Sequence, residues 1–156
     1  MGSYWHYEYP IGKVGVAETD GRVVGVFFAQ GAIEGFELRE TALIRKTAGQ
    51  LEEYFAGKRR EFDLPLSFAG SGFQKLVWEA LLAIPYGETR TYGEIAAQVG
   101  NPKGARAVGM ANNRNPIVII CPCHRVIGKG GALVGYGGGL AAKKYLLELE
   151  SRERSL

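Results

Sequence analysis

Residues 121–126 read "CPCHRV" and hold both cysteines of the chain beside one of its two histidines. A thiolate is the nucleophilic form, and a free cysteine is mostly protonated at neutral pH. A neighbouring imidazole can take that proton, and a carboxylate can hold the imidazole in the required tautomer. Cys123 and His124 supply the first two parts, and Glu148 and Glu150 are the acids available for the third. Adjacent residues on an extended chain point to opposite sides. Contact between thiol and imidazole therefore needs a turn, or a water relays the proton. Other readings of the same residues stay open. A buried cysteine can be inert packing. Cys121, Cys123, His124 and the distant His6 could ligate a metal, but C-x-C-H lacks the paired spacing of common structural zinc sites. A cysteine hydrolase would also need an oxyanion hole and a substrate cleft, which the sequence does not mark. Two cysteines one residue apart are no disulfide framework, and both read as reduced thiols of a reducing compartment.

A second stretch, "NPKGARAVGMANNRNP", is unusual in another way. Gly104, Ala105, Ala107, Gly109 and Ala111 are all small, and each glycine costs a helix about 1 kcal/mol relative to alanine. Such a surface admits close approach, either of another helix or of a nucleic-acid backbone. Arg106 projects from it as a solvated arginine or as a probe entering a partner. The net charge of +3 over 156 residues permits nucleic-acid binding without requiring it.

The elements that must position these residues follow from pattern. The chain is 46% hydrophobic and 22% charged, as expected of a soluble globular protein. No apolar run approaches the about 20 residues needed to cross a bilayer. "MGSYWHYEYP" has no basic region followed by an apolar one, so no signal peptide is expected, and "MGS" reads as partly an expression remnant. Two β-rich runs around Asp20-Gly21 predict a hairpin. Leu43, Ile44, Ala48, Leu51, Tyr54 and Phe55 share a helical face, with Gly57 at its C-terminal stop. "REFDLPLSF" reads as extended, with Pro65 confining it to an edge. Ser71 and Gln74 form a capping box before a helix with Phe73, Leu76, Val77, Ala80 and Leu81 as its stripe, ended by Pro85. Thr91 and Glu94 form a second box, Gly100 stops that helix, and Asn101-Pro102 opens the next. Two short helices joined by about three residues make a helix-turn-helix pattern. "PIVII" predicts a buried extended segment, "GYGGG" a stretch of special dihedrals or close ligand approach, and "LAAKKYLLELE" a terminal helix. The division is a sheet-plus-helix part over residues 1–66 and a mainly helical part over residues 67–156.

"PCHRV", "FQKLVWEALLAIPYGETRTYGEIA", "NPKGARAVGMANNRNP" and "GYGGGLAAKKYLLELE" together resemble the O6-alkylguanine-DNA alkyltransferases, in the expected order and spacing over about residues 62–156. The resemblance implies a ribonuclease-H-like N-terminal domain and repair by single, irreversible alkyl transfer from guanine O6 to Cys123. It implies that His124 is the base acting through a water, that Glu150 holds the histidine, and that Glu148 is a surface residue. Asn115 would brace the active-site turn. Tyr92 would rotate the target nucleotide, bind the guanine edge and donate the leaving-group proton. Arg106 would enter the stack where the flipped base had been. Lys103 and Arg114 would meet phosphates, and Ala105 and Gly109 would let the helix lie in the minor groove. Tyr136, Gly137, Val126 and Cys123 would line the pocket. The implied partner is double-stranded DNA carrying O6-alkylguanine, bound by a monomer in the cytoplasm, or in the nucleus of a eukaryote, with no cofactor, metal or membrane. Two departures stand out: Cys121 replaces an aliphatic residue and reads as buried packing, and Gly137 replaces a serine found in some members. A lesion-binding or helix-turn-helix regulatory protein without transfer chemistry is the alternative.

Overall fold

The computed structural model describes residues 1–28 and 31–154, in two compact units, Met1–Phe68 and Ala69–Leu156. In the first, β1 (Gly2–Tyr9), β2 (Gly12–Thr19), β3 (Arg22–Phe28) and β4 (Phe36–Leu38) form one sheet in the order β3-β2-β1-β4. The three long strands are antiparallel neighbours, and β4 runs parallel to β1. The predicted hairpin is the β2–β3 connection: Asp20 (φ 51°) and Gly21 (φ 75°) both take the left-handed conformation that suits a two-residue turn to the strand twist. At the start of β1, Ser3 pairs with Glu18 of β2 and Gly2 with Phe36 of β4, and a Cβ on Gly2 would fall 2.2 Å from the Phe36 ring. The extended residues 65–67 add to the free edge of β3, through Val23 N–H to Pro65 O (2.8 Å) and Ser67 N–H to Val23 O (3.0 Å). Proline is tolerated there because it stands at the first residue of the pairing, where it supplies only its carbonyl.

Helix α1 (Ala42–Phe55) covers this sheet. Thr41 caps its start. Its end is a Schellman turn, with Gly57 at φ 76° and Lys58 N–H donating to Glu53 O at 2.8 Å. Ile44, Ala48, Leu51 and Tyr54 are buried as expected, together with Thr47 and Gln50.

The second unit holds α2 (Gly72–Leu82), β5 (Arg90–Thr91), α3 (Tyr92–Gln98), α4 (Ala105–Asn113), β6 (Val126–Ile127) and α5 (Leu140–Arg154). Both predicted capping boxes are formed, at Ser71–Gln74 and Thr91–Glu94. The α2 stripe is rotated from its expected position. Leu76 is 49% exposed, and Trp78 takes the buried place, because its indole N–H reaches the Ala111 carbonyl at 3.0 Å. The α3–α4 link is also corrected, to six residues, 99–104. Asn101 N–H completes the C-terminal turn of α3 by donating to Ala96 O at 2.9 Å. Its carbonyl then closes a turn onto Gly104 N–H at 2.8 Å. Asn101 is committed to ending one helix and does not cap the next; Gly104 holds that position with no side-chain bond. Among the described residues no helix is long and apolar enough to cross a membrane.

Candidate active site and nucleic-acid interface

"PIVIICPC" is buried but not extended. Ile117, Ile119 and Cys121 have no exposure, while the backbone winds through successive tight turns, with Ile119 at φ 71°. Cys121 N–H donates to Ile117 O at 2.9 Å and Cys123 N–H to Cys121 O at 2.8 Å. Asn115 braces these turns with both ends of its carboxamide, donating to Cys121 O at 2.7 Å and accepting from Ile117 N–H at 3.0 Å. A single helical turn, residues 123–125, then carries Cys123, His124 and Arg125 inward. This turn, absent from an extended reading, lets sequence neighbours serve one site.

His124 and Glu150 are fully buried, and the imidazole Nε2 lies 2.7 Å from Glu150 Oε2. Glu150 also accepts from Arg125 Nε at 2.8 Å on Oε1 and from an Arg125 terminal nitrogen at 3.0 Å on Oε2. The Gly87 N–H adds a contact at 3.3 Å. Burial alone would raise the Glu150 carboxyl, but His124 and Arg125 together hold it well below the usual carboxylate range. An ionised carboxylate only accepts hydrogen bonds, so the proton sits on Nε2 and Nδ1 keeps its lone pair. Burial lowers the His124 pKa against the opposing pull of Glu150, which favours the neutral ring. Nδ1 is buried and has no hydrogen-bond partner among the described residues. Glu148 lies on the surface, 3.9 Å from Lys144.

Cys123 is 3% exposed. Burial pushes its thiol up to about 11, while the Asn115 side chain and the Lys143 charge favour the thiolate. At pH 7 that leaves about one molecule in 10⁴ ionised, so the thiol needs a base at the moment of reaction. Cys121 is buried too, its thiol facing the Trp78 carbonyl at 3.6 Å. Burial drives it well above its ordinary value, reinforced by Cys123.

Around the thiol stand Tyr92, Tyr136 and Lys143. Tyr92 opens α3, and its hydroxyl donates to Val134 O at 3.0 Å. Burial first, then the Cys123 charge, raise its pKa. The Tyr136 hydroxyl is raised by burial and by Cys123 and Glu150. Gly137 is exposed, and a Cβ there would meet nothing within 4 Å. Of Gly137, Gly138 and Gly139, only Gly139 (φ 92°) needs a glycine conformation. The Val126 carbonyl accepts from Lys143 Nζ at 2.6 Å. Lys143 is fully buried and also donates to Val134 O at 3.0 Å and Gly135 O at 3.4 Å.

Helix α4 runs beside this cluster, touching the Cys123 backbone through Asn112, and presents a separate outer face. Arg106, Ala107, Met110, Asn113 and Arg114 are exposed, as is Lys103 before the helix, and Ala105 is half-buried. A Cβ on Gly109 would sit 3.8 Å from the Tyr92 ring, and the Cys123 charge acts on Tyr92, so Tyr92 links the helix pair to the thiol cluster. The structure thus groups Cys123, His124, Glu150 and Asn115 internally. Lys103, Arg106 and Arg114 lie along the outer surface, with Tyr92 between.

Arg125, Lys143 and Asn112 were not singled out by sequence reasoning. A signal existed for one: Lys143 and Glu150 are seven residues apart, and that step puts both on one face of α5 with Leu146. Nothing in the sequence marked Asn112, whose Nδ2 reaches the Cys123 carbonyl at 3.4 Å.

Two family models match the chain: the 6-O-methylguanine DNA methyltransferase DNA binding domain over residues 72–152 and its ribonuclease-like domain over residues 3–68. A methylated-DNA–protein-cysteine methyltransferase of Methanosarcina acetivorans is 50% identical over 151 residues, 94% of this chain and 97% of the relative. The crystal structure of Mycobacterium tuberculosis O6-methylguanine methyltransferase is 46% identical, with a TM-score of 0.89 over 98% of this chain and 94% of that one. The crystal structure of Mycobacterium tuberculosis OGT in complex with DNA is 47% identical, with a TM-score of 0.91 over 97% and 94%.

Proposed function

The chain belongs to the 6-O-methylguanine DNA methyltransferase family, and from that premise we propose that it repairs DNA by moving the alkyl group of O6-alkylguanine to Cys123, once per molecule. The observation that carries this assignment of roles is the buried His124, fixed by Glu150 so that an Nδ1 with no partner among the described residues stands next in sequence to a buried thiol. A thiol held near 11 is inert until that lone pair accepts its proton. The S–H bond breaks and its proton passes to Nδ1 through a water, leaving the electron pair on sulfur. The thiolate attacks the alkyl carbon, a C–S bond forms, and the C–O6 pair goes to the guanine, which takes up one proton to leave neutral. Tyr92 is the donor in this reading, its hydroxyl first leaving Val134. Lys143 and Asn115 stabilise sulfur's charge on the way. The product is a thioether, which neither a water nor an imidazole hydrolyses, so the protein is consumed and no cofactor enters.

The lesion carbon lies inside a stacked duplex, so the base is extruded, at a few kcal/mol. Helix α4, with its small residues, lies in the minor groove. Arg106 fills the gap left in the stack, and Lys103 and Arg114 meet phosphates. Minor-groove contacts read sequence only coarsely, which suits repair in any context. Val126, Tyr136 and the Gly137 backbone bound the guanine. The protein acts as a monomer in the reducing cytoplasm, where its two free thiols persist.

The test is an intact mass after mixing with a duplex carrying one O6-methylguanine, followed by peptide mapping. One methyl group on the peptide holding Cys123, with guanine restored in the DNA and no further turnover, is the expected result. DNA binding without an adduct on a reduced thiol would leave a lesion-binding or regulatory protein.

A further inference from the structure

Asn112 lies on the buried face of α4, 2% exposed. Its Nδ2 donates to the Cys123 carbonyl, which fixes the carboxamide: turned over, it would set oxygen against oxygen. Oδ1 is therefore directed elsewhere, and it is buried with no donor facing it among the described residues. His124 Nδ1 is in the same condition. The two acceptors belong to residues that bracket Cys123, one touching its carbonyl and the other following it in the chain. A buried acceptor left without a donor carries an uncompensated desolvation cost. A single water offers two O–H donors, one for each, and its oxygen can accept the Cys123 S–H. Three hydrogen bonds are what a buried water ordinarily makes.

We infer that Asn112 is a positioning residue for alkyl transfer: its carboxamide clamps the Cys123 backbone and, together with His124 Nδ1, holds the water that carries the thiol proton. The inference rests on the reading of Cys123 as the alkyl acceptor and His124 as its base. The thiol proton passes to the water oxygen as the water's own proton passes to Nδ1. The water is regenerated, sulfur keeps the electron pair, and the imidazolium formed is paired with Glu150. Asn112 thereby acts on the chemical step and not on DNA affinity, although it sits on the helix assigned to DNA.

The test compares wild type with Asn112→Leu and Asn112→Ala, using a duplex bearing O6-methylguanine and free O6-benzylguanine as donors. Transfer from both donors is expected to slow by about 10–100-fold, part of the range a positioned base contributes, with duplex affinity held within about twofold. The variants' rates move to higher pH and lose the curved dependence on deuterium fraction that a two-proton relay gives the wild type. A variant that only melts earlier, with the wild-type rate and pH profile, would overturn the inference. Should both variants fail to fold, a high-resolution crystal structure of the wild type decides. A water within hydrogen-bond distance of both Asn112 Oδ1 and His124 Nδ1 supports the assignment, and a protein donor on Oδ1 refutes it. A wild type that takes no alkyl group from either donor would instead sink the acceptor reading, and the crystallographic water would still be decided separately.

Discussion

Replacing Glu150 by glutamine removes one negative charge from a buried carboxylate that accepts from His124, Arg125 and the Gly87 N–H. In the wild type the carboxylate binds His124 Nε2 at 2.7 Å and Arg125 at 2.8 and 3.0 Å. After Glu150→Gln the Arg125 guanidinium, 7% exposed as a side chain, stays charged and keeps a bond to the Ile84 carbonyl at 2.7 Å but loses its counter-ion. Breaking a buried pair from one side costs about 3–5 kcal/mol. A protein of this size loses about 2–4 °C of Tm per kcal/mol, so Tm should fall by roughly 6–20 °C while the fold survives. Removing both partners is gentler, so Arg125→Met/Glu150→Leu should recover part of the loss in a denaturant titration. It should not recover chemistry. Without an ionised acceptor on Nε2 the imidazole tautomer is no longer fixed, and single-turnover transfer from an O6-methylguanine duplex should slow by about 10²-fold or more. A Glu150→Gln protein within 1 kcal/mol of wild type, or one transferring at close to the wild-type rate, would refute the reasoning that joins this carboxylate to both fold and base.

Two further outcomes are expected. Arg106→Ala should weaken repair of duplex DNA while leaving reaction with free O6-benzylguanine largely intact, since Arg106 is exposed on α4 and away from the thiol cluster; equal loss on both donors would remove its role in the stack. Iodoacetamide labelling of DNA-free protein should rise about tenfold per pH unit between pH 7 and 10, with no plateau near 8.5, because the Cys123 thiol is held near 11. Its folded pKa is raised, so this burial favours the fold fully below the unfolded thiol's pKa of about 8.5, and the contribution fades as pH climbs toward 11. Cys123→Ser should therefore narrow the alkaline loss of stability, read from denaturation midpoints at pH 7 and 10.

Local chemistry was legible in the residues themselves. Both capping boxes, the Asp20-Gly21 turn and the Gly57 and Gly100 stops are short-range bargains between a side chain or a missing Cβ and nearby backbone groups, and a sequence states them directly. The same holds for which chemistry Cys123 and His124 can do. Competition for one residue was not legible. Asn101 suits an N-cap, but its N–H and carbonyl were already used to finish α3. Leu76 matches the helical period as well as Trp78 does, and a carbonyl 33 residues further along the chain decided between them. The apolar run 117–121 reads as a strand by composition, yet Asn115 folds it into turns. The charges needed the tertiary structure most. A lysine or arginine in a sequence is presumed solvated, and only packing brings Lys143 under three carbonyls and Arg125 onto Glu150. The sequence by itself determined the candidate nucleophile and base, Cys123 and His124, and the small-residue helix. Tertiary structure decided which acid of Glu148 and Glu150 serves the histidine, because the turn of α5 buries one and exposes the other. It also set the protonation of the site, because desolvation and the placement of charges depend on what surrounds a group and not on its neighbours in the chain.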